Sequence, residues 1–302
     1  MLPPPKLFTY LEAVARAGSI RKAAARLNVA STALNRMVLD AEGDVGTPLF
    51  ERLPRGVRLT AAGEVLIAAI RRSLADLAAS ASHIEQLRGL VRGTVRIACA
   101  ETVAHDMVPT LIGRYQNEHR GVQFVVESGA TPELVSALLA DRSDLLIAHD
   151  PPPNPALAEL ASAPQTLCAL VRPDHPLASH GKLRLADCQP YSVALGLQSF
   201  ASRRLIDQLA AKLNLTFRVA IEAGSVQTLL AFARETGAIC FQFASGTRRD
   251  VASGELVALP LIDRDLTRSR LVLATRRGRS LPIASLSIIE IVRQALQQAP
   301  EM

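Results

Sequence analysis

The sequence predicts an α/β protein with a small all-α head at its N-terminus, and three observations carry that prediction. Two short amphipathic segments joined by a tight turn are followed by a basic turn, Arg52-Leu53-Pro54-Arg55-Gly56-Val57-Arg58. After Thr60 a long stretch without proline repeats its apolar residues every seven positions. From Gly93 onward, short apolar runs alternate with helical stretches.

Residues 19–27 place Ile20, Ala23, Ala24 and Leu27 at the i, i+3, i+4, i+7 spacing that makes one apolar stripe on a helix, with Ser19 as its cap. A second segment from Ser31 repeats the spacing with Leu34, Met37, Val38 and Ala41. Only Asn28-Val29-Ala30 separate the two, so two short helices must cross. That is the geometry of a helix-turn-helix, whose second helix enters the DNA major groove. Its free face is Thr32, Asn35, Arg36 and Leu39. Asn and Arg carry the paired donors and acceptors that match adenine and guanine edges, while Ser31 and Thr32 suit phosphates or single hydrogen bonds to bases. Taken alone, those residues fit a solvated, serine-capped helix face equally well.

The flanking segments favour the DNA reader. Leu7, Phe8, Leu11, Val14 and Ala15 line one face of a preceding helix that closes a three-helix core, and Thr47-Pro48-Leu49-Phe50 anchor the chain back to it. Arg52, Arg55 and Arg58, set around Pro54 and Gly56, then make a wing. Its cations would sit on backbone phosphates and supply affinity rather than sequence choice; the alternative is a solvated basic loop.

From Thr60, the expected cap, to about Arg88 the only glycine is Gly63, which predicts one long helix. Ile67, Leu74 and Ala81 fall seven apart, as do Ile70, Leu77, Ile84 and Val91, and the two series are offset by three. A seam of this kind is buried by pairing with a second subunit or by packing on the helix's own domain. Pairing is the expectation, through Ile67, Ile70, Leu74, Leu77 and Ile84. Gly89 and Gly93 bracket Leu90-Val91-Arg92, where a hinge is expected.

These residues resemble the LysR-type transcriptional regulators over residues 8–63. The resemblance is carried by Ala17-Gly18-Ser19-Ile20, Ala23-Ala24, Leu27-Asn28-Val29, Ala33-Leu34-Asn35-Arg36, Gly46-Thr47-Pro48-Leu49-Phe50-Glu51-Arg52 and Arg58-Leu59-Thr60-Ala61-Ala62-Gly63. It implies a winged helix-turn-helix (residues 1–59), a dimerising linker helix and hinge (60–92), and an effector-binding domain resembling periplasmic binding proteins (93–302). It also implies dimers or tetramers that activate or repress genes, often those beside their own, and RNA polymerase as a partner. Met37 stands where the family tends to have Gln, Leu39 where a basic residue is frequent, and Ala41 and Val45 replace bulkier Leu, so the operator sequence does not carry over. Gly43-Asp44 is expected to loosen the last turn of the second helix, because Gly costs about 1 kcal/mol against Ala there.

In the body, residues 94–100, 122–127 and 145–149 read as strands, with helices near 108–118 and 132–141, an order that predicts a parallel sheet. A second set has strands near 167–171, 191–195, 218–222 and 238–241 and helices near 202–214 and 225–235. A strand at 271–274 and a helix at 285–298 return to the first set. Two α/β lobes result, lobe I at about 93–164 and 267–302 and lobe II at about 165–266. The family resemblance here is weaker, resting on Asp174-His175-Pro176-Leu177-Ala178 and Leu256-Val257-Ala258-Leu259-Pro260-Leu261. Thr236-Gly237-Ala238 and Gln242 replace the family's Gly-rich strand entry and terminal Pro.

Ligands of open parallel sheets settle beyond the carboxyl ends of the strands, where helix N-termini point partial positive charge. That rule selects Thr102, Thr131, His149, Ser199, Phe200, Ser202 and Ser225, and the family's effector contacts match best at Thr102, Thr131, His149 and residues 199–202. Backbone N–H groups and hydroxyls suit an anion, so a small carboxylate or similar metabolite is the expected effector, with His149 as its cation. Each of these residues alone fits a capping or turn role as well.

Bulk composition agrees with a globular chain of two or three domains: 302 residues, 49% hydrophobic and 21% charged. Residues 1–92 carry 13 Lys or Arg against 8 Asp or Glu, which accounts for most of the net charge of +6. The N-terminus has no apolar leader and no run approaches the ~18 apolar residues of a membrane helix, so a cytoplasmic protein without a membrane partner is expected. Cys99, Cys168, Cys188 and Cys240 show no CxxC spacing and read as buried thiols rather than a redox switch. No GxSxG, phosphate loop, GxGxxG or HExxH pattern is present, so no enzyme, cofactor or metal is expected. The one dense polar cluster, Glu101, His105 and Asp106, reads as helix-start charge. The expected partners are double-stranded DNA at promoter half-sites, a small effector, further copies of the chain and RNA polymerase. The competing reading is an architectural DNA-binding protein that ignores small molecules.

Overall fold

A computed structural model describes residues 6–87 and 91–298, which form two units: those up to residue 91 with 140–142 and 278–283, and those of 92–139, 143–277 and 284–298. The first unit begins with α1 (Lys6–Ala17), α2 (Ile20–Leu27) and α3 (Ser31–Val45), continues through a hairpin of β1 (Phe50–Leu53) and β2 (Gly56–Leu59), and ends in α4 (Ala61–Gln86). Leu11, Val14, Ala23, Ala24, Leu34, Val38, Leu49 and Phe50 bury together as its core. Leu7, expected on the apolar face of α1, is exposed instead.

Local chemistry sets each boundary. Ser19 caps α2 by accepting the Lys22 N–H, and Asn28 closes it in the left-handed conformation. The looser last turn expected from Gly43-Asp44 does not shorten α3, which runs to Val45 and ends on Gly46. The Gly46 N–H bonds the carbonyls of Glu42 and Gly43 at 2.9 and 3.2 Å. Glu42 adds a tether that holds the chain to α3, its Oε1 accepting the N–H groups of Leu49 and Phe50 at 2.8 and 2.9 Å. Thr60 caps α4 through Gly63 N–H and donates to the Pro48 carbonyl. Gly63 is obligatory, because a Cβ there would lie 2.0 Å from the Leu49 carbonyl oxygen.

The linker seam is corrected in its first half. Ile67 and Ile70 are each 1% exposed and belong to the head's own core, so they are not available as dimerisation contacts. The N-terminal half of α4 completes the small three-helix core, which is too thin without it. Leu74 also packs there, Leu77 is half-buried, and Ile84 (43% exposed) and Leu87 (89%) lie open. Of the expected hinge, Gly89 and Leu90 lie outside the described residues.

The second unit contains two five-stranded sheets. Its elements in chain order are β3 (Gly93–Ala100), α5 (Glu101–His105), α6 (Met107–Glu118), β4 (Val122–Gly129), α7 (Thr131–Leu139), β5 (Leu145–His149), β6 (Leu157–Pro164), β7 (Leu167–Val171), β8 (Ser192–Gly196), α8 (Ala201–Leu213), β9 (Arg218–Ala223), α9 (Val226–Thr236), β10 (Ile239–Phe243), α10 (Arg248–Ala252), β11 (Val257–Pro260) and β12 (Arg270–Arg276), followed by α11 (Ile283–Gln297). One sheet has the order β4-β3-β5-β12-β6 and the other β11-β7-β10-β8-β9.

The strands expected to form a parallel sheet do so as β4-β3-β5, and β10-β8-β9 are parallel in the other sheet; the remaining strands of both sheets pair antiparallel. Two strands were not foreseen, β6 and β11, and both lie at sheet edges; β6 follows the proline-rich residues 151–155, where alternating apolar residues are sparse. The chain passes between the sheets at residues 165–166 and 261–269, and these crossovers are joined by a 2.8 Å bond from Gln165 N–H to the Ser269 carbonyl. All four cysteines are buried, and burial pushes each thiol up to about 12. Among the described residues no helix is long and apolar enough to cross a membrane, and no His, Cys, Asp or Glu cluster could hold a metal.

Candidate functional site

The α3 face and the hairpin form the first candidate surface. Ser31, Thr32, Arg36 and Leu39 are exposed and Asn35 is half-buried. Ala30, not Ser31, is the N-cap of α3 and makes no side-chain bond, so the first N–H groups of the helix and both hydroxyls are left for an outside acceptor.

The wing is a hairpin in register, Leu53 opposite Gly56 and Glu51 opposite Arg58, turned through Pro54 and Arg55. Gly56 has φ +147 and sits where a Cβ would lie 2.2 Å from the Gly18 carbonyl oxygen, while Val57 N–H bonds that carbonyl at 2.9 Å. The hairpin is thereby fixed to the turn between α1 and α2.

Of the three wing arginines, Arg55 has no hydrogen-bond or ion-pair partner among the described residues. Arg52 donates from Nη1 to Asn35 Oδ1 at 2.9 Å, and Arg58 pairs with Glu51 at 2.6 Å, which raises its pKa. Without DNA, therefore, two of the three arginines expected on phosphates are engaged in exposed contacts within the chain.

In the second unit the carboxyl ends of β3, β4 and β5 deliver Thr102, Thr131 and His149 into one cleft, and the segment after β8 delivers Phe200 and Ser202. Ser199 and Ser225 do not line it: the Ser199 carbonyl accepts from Arg204, and Ser225 is the N-cap residue of α9, whose first N–H group is engaged elsewhere. The cleft volume is about 30 Å³, little more than a single water requires.

His149 organises the floor. It is 2% exposed, stacks on Phe243 with ring centroids 4.0 Å apart, and its Nε2 lies 3.0 Å from Thr102 Oγ1. Thr131 Oγ1 donates to the His149 carbonyl at 3.2 Å. Burial without a carboxylate partner pushes the imidazole down to about 3, so it is neutral at physiological pH. The expected cation for an anionic effector is thus corrected to a neutral hydrogen-bonding ring.

The lining residues that escaped the strand-end rule include Glu101, Val226, Gln242 and Phe243. Glu101 Oε1 accepts the Val226 N–H at 2.9 Å, so an internal carboxylate already sits on the start of α9. It is helix-start charge of its own helix α5, as the sequence suggested, and it also caps the start of α9. Gln242 is 1% exposed; its Oε1 has no partner, and neither has His149 Nδ1. The sequence signal for Gln242 was a lone amide inside the apolar run of β10. The start of α8 has no side-chain cap, and with Ser202 it offers donors to the same cleft.

The model of the bacterial regulatory helix-turn-helix protein of the lysR family matches residues 5–64, and that of the LysR substrate binding domain matches residues 88–297. The RuBisCO operon transcriptional regulator of Acidithiobacillus ferrooxidans is 28% identical over 247 residues, covering 82% of this chain and 80% of that protein. Among solved structures, a full-length OxyR variant from Pseudomonas aeruginosa superposes with a TM-score of 0.72 at 18% identity, covering 97% of this chain and 94% of that one. Full-length CbnR complexed with its target DNA gives 0.63 at 21%, covering 96% and 99%. Regulators of this type bind DNA and small-molecule effectors. The chain belongs to the LysR family of transcriptional regulators, combining a helix-turn-helix head and an effector-binding domain in a family that is not enzymatic.

Proposed function

We propose that two or four copies of the chain bind promoter half-sites in the cytoplasm, and that a small metabolite in the His149 cleft sets how they bind. On this reading residues 1–59 read DNA, 60–92 pair the subunits and 93–302 hold the effector in two lobes. Asn35 and Arg36 read base edges, Ser31 and Thr32 hold phosphate at the start of α3, and Arg55 does so at the wing tip. Arg52 positions Asn35, and Arg58 reaches DNA when it exchanges Glu51 for a phosphate. Leu77, Ile84 and Leu87 are the side of α4 left for a second copy. RNA polymerase is the downstream partner.

The observation that carries the effector assignment is the pair of buried polar atoms without partners, His149 Nδ1 and Gln242 Oε1, on one cleft wall with Thr102, Thr131 and Ser202. An anionic effector is held there by hydroxyls and by the N–H groups that start α8, with no ion pair. Because the cleft is too small for a metabolite, occupancy requires the two sheets to part, and the effector acts only through its differential affinity for the two arrangements. A thermal-shift screen of small metabolites on the intact chain identifies the ligand. Thr102→Ala and Thr131→Ala are each expected to weaken it; unchanged affinity in both removes this cleft from consideration.

A further inference from the structure

We propose that the protein carries a second small-molecule site, separate from the His149 cleft, that takes a hydroxylated oxyanion such as a phosphorylated or carboxylated polyol. A cavity of about 470 Å³ lies where the chain crosses between the two sheets, within the range of small-molecule sites and far larger than the cleft. Its lining includes Asp106 and Arg114 at α6, Gln165 in the first crossover, Ser245 after β10 and Arg248 at the start of α10.

The cavity is polar in a directional way. Arg114 and Arg248 are exposed, and neither forms an ion pair among the described residues, whereas the neighbouring Arg234 and Arg249 are held by Asp250 and Asp106. Further in, Gln165 Oε1, Ser245 Oγ and Asp106 Oδ2 are buried without a partner. Gln165 is 8% exposed, and its side-chain nitrogen donates to the Pro164 carbonyl at 3.0 Å, which leaves its oxygen as the free acceptor.

Two cations at the mouth and acceptors inside describe a ligand with an oxyanion at one end and hydroxyl donors at the other. A bare phosphate satisfies only the mouth. A dicarboxylate would drive its second anion against Asp106 and the Gln165 oxygen.

The site is placed to act on the cleft. Gln242-Phe243 line the cleft and the next two residues, Ala244-Ser245, line this cavity; Glu101-Thr102 and Asp106-Met107 divide in the same way. The segments are in close contact, since a Cβ at Gly246 would lie 2.6 Å from Thr102 Cβ.

Calorimetric titration of the full chain with glucose 6-phosphate, gluconate, inorganic phosphate and glucose tests this. At least one of the two hydroxylated anions is expected to bind about tenfold or more tightly than inorganic phosphate, with glucose undetectable; the tighter of the two identifies the headgroup. Arg114→Ala/Arg248→Ala, both at exposed positions, is expected to weaken that ligand at least about tenfold, while the wing variant Arg55→Ala leaves it unchanged. Gln165→Leu is expected to remove the advantage over inorganic phosphate. Unchanged affinity in the double arginine variant, loss of binding in Arg55→Ala, or no heat from either hydroxylated anion at ~10 mM overturns the proposal.

Discussion

The head and the effector-binding body place their polar groups in opposite ways. The head puts charge at the surface on a scaffold of short helices, and its functional side chains make few bonds beyond Arg52 to Asn35 and Arg58 to Glu51. The cleft puts neutral polar atoms in the interior, where His149 and Gln242 are nearly inaccessible and each keeps one atom unsatisfied. Surface charge works at a distance and tolerates imprecise placement. Buried amides and rings work only in register with a partner, and cost free energy until one arrives. On the proposed reading, the head supplies affinity for a polyanion and the cleft the response to a small ligand.

The contrast is broken most severely by destroying one region alone. Gly63→Ala drives a methyl group into the Leu49 carbonyl, and about 4 kcal/mol of destabilisation is expected, of the size reserved for backbone overlap. Calorimetry should show a lowered transition and lost DNA binding, with ligand binding by the body retained.

Acid is the next largest perturbation, and its sign follows from burial. His149 titrates near 3 in the folded chain and near 6.5 when unfolded, so between those values only the unfolded state takes up the proton. Its contribution is fully present above about pH 6.5 and falls as pH drops, by about 3 kcal/mol at pH 4. Denaturant titrations of wild type and His149→Gln should converge in this range as pH falls; parallel curves would contradict a neutral buried imidazole.

Arg36→Ala is expected to cost about 2 kcal/mol on promoter DNA and to relax sequence choice, whereas Arg55→Ala weakens all sequences alike and lowers the salt slope by about one. Competition binding against scrambled duplexes separates these two outcomes. The smallest effect belongs to Glu51→Gln, which frees Arg58 from a surface pair and is expected to tighten DNA binding slightly, most visibly at low salt.

What could be foreseen followed the same division. Amphipathic spacing at Ile20, Leu34 and Val38, the cap at Ser19 and the glycine at Gly56 are local signals, and they located the head and wing. The strand-end rule likewise brought Thr102, Thr131, His149, Phe200 and Ser202 to one cleft. It could not exclude Ser199 and Ser225, nor find Glu101 at the start of α9, because that contact joins residues 125 positions apart. The state of His149 was hidden for the same reason, since its desolvation depends on Phe243 from the other sheet. Heptad spacing in α4 could not say which partner buries it, and Ile67 and Ile70 went to the head's own core.

The most direct test is the salt dependence of binding between the intact protein and the intergenic DNA beside its own gene, measured by fluorescence anisotropy for wild type, Arg36→Ala and Arg55→Ala. The account predicts a steep loss of affinity with rising salt, a shallower slope in Arg55→Ala, and weaker, less selective binding in Arg36→Ala. Affinity that is indifferent to salt and identical in all three proteins would contradict it.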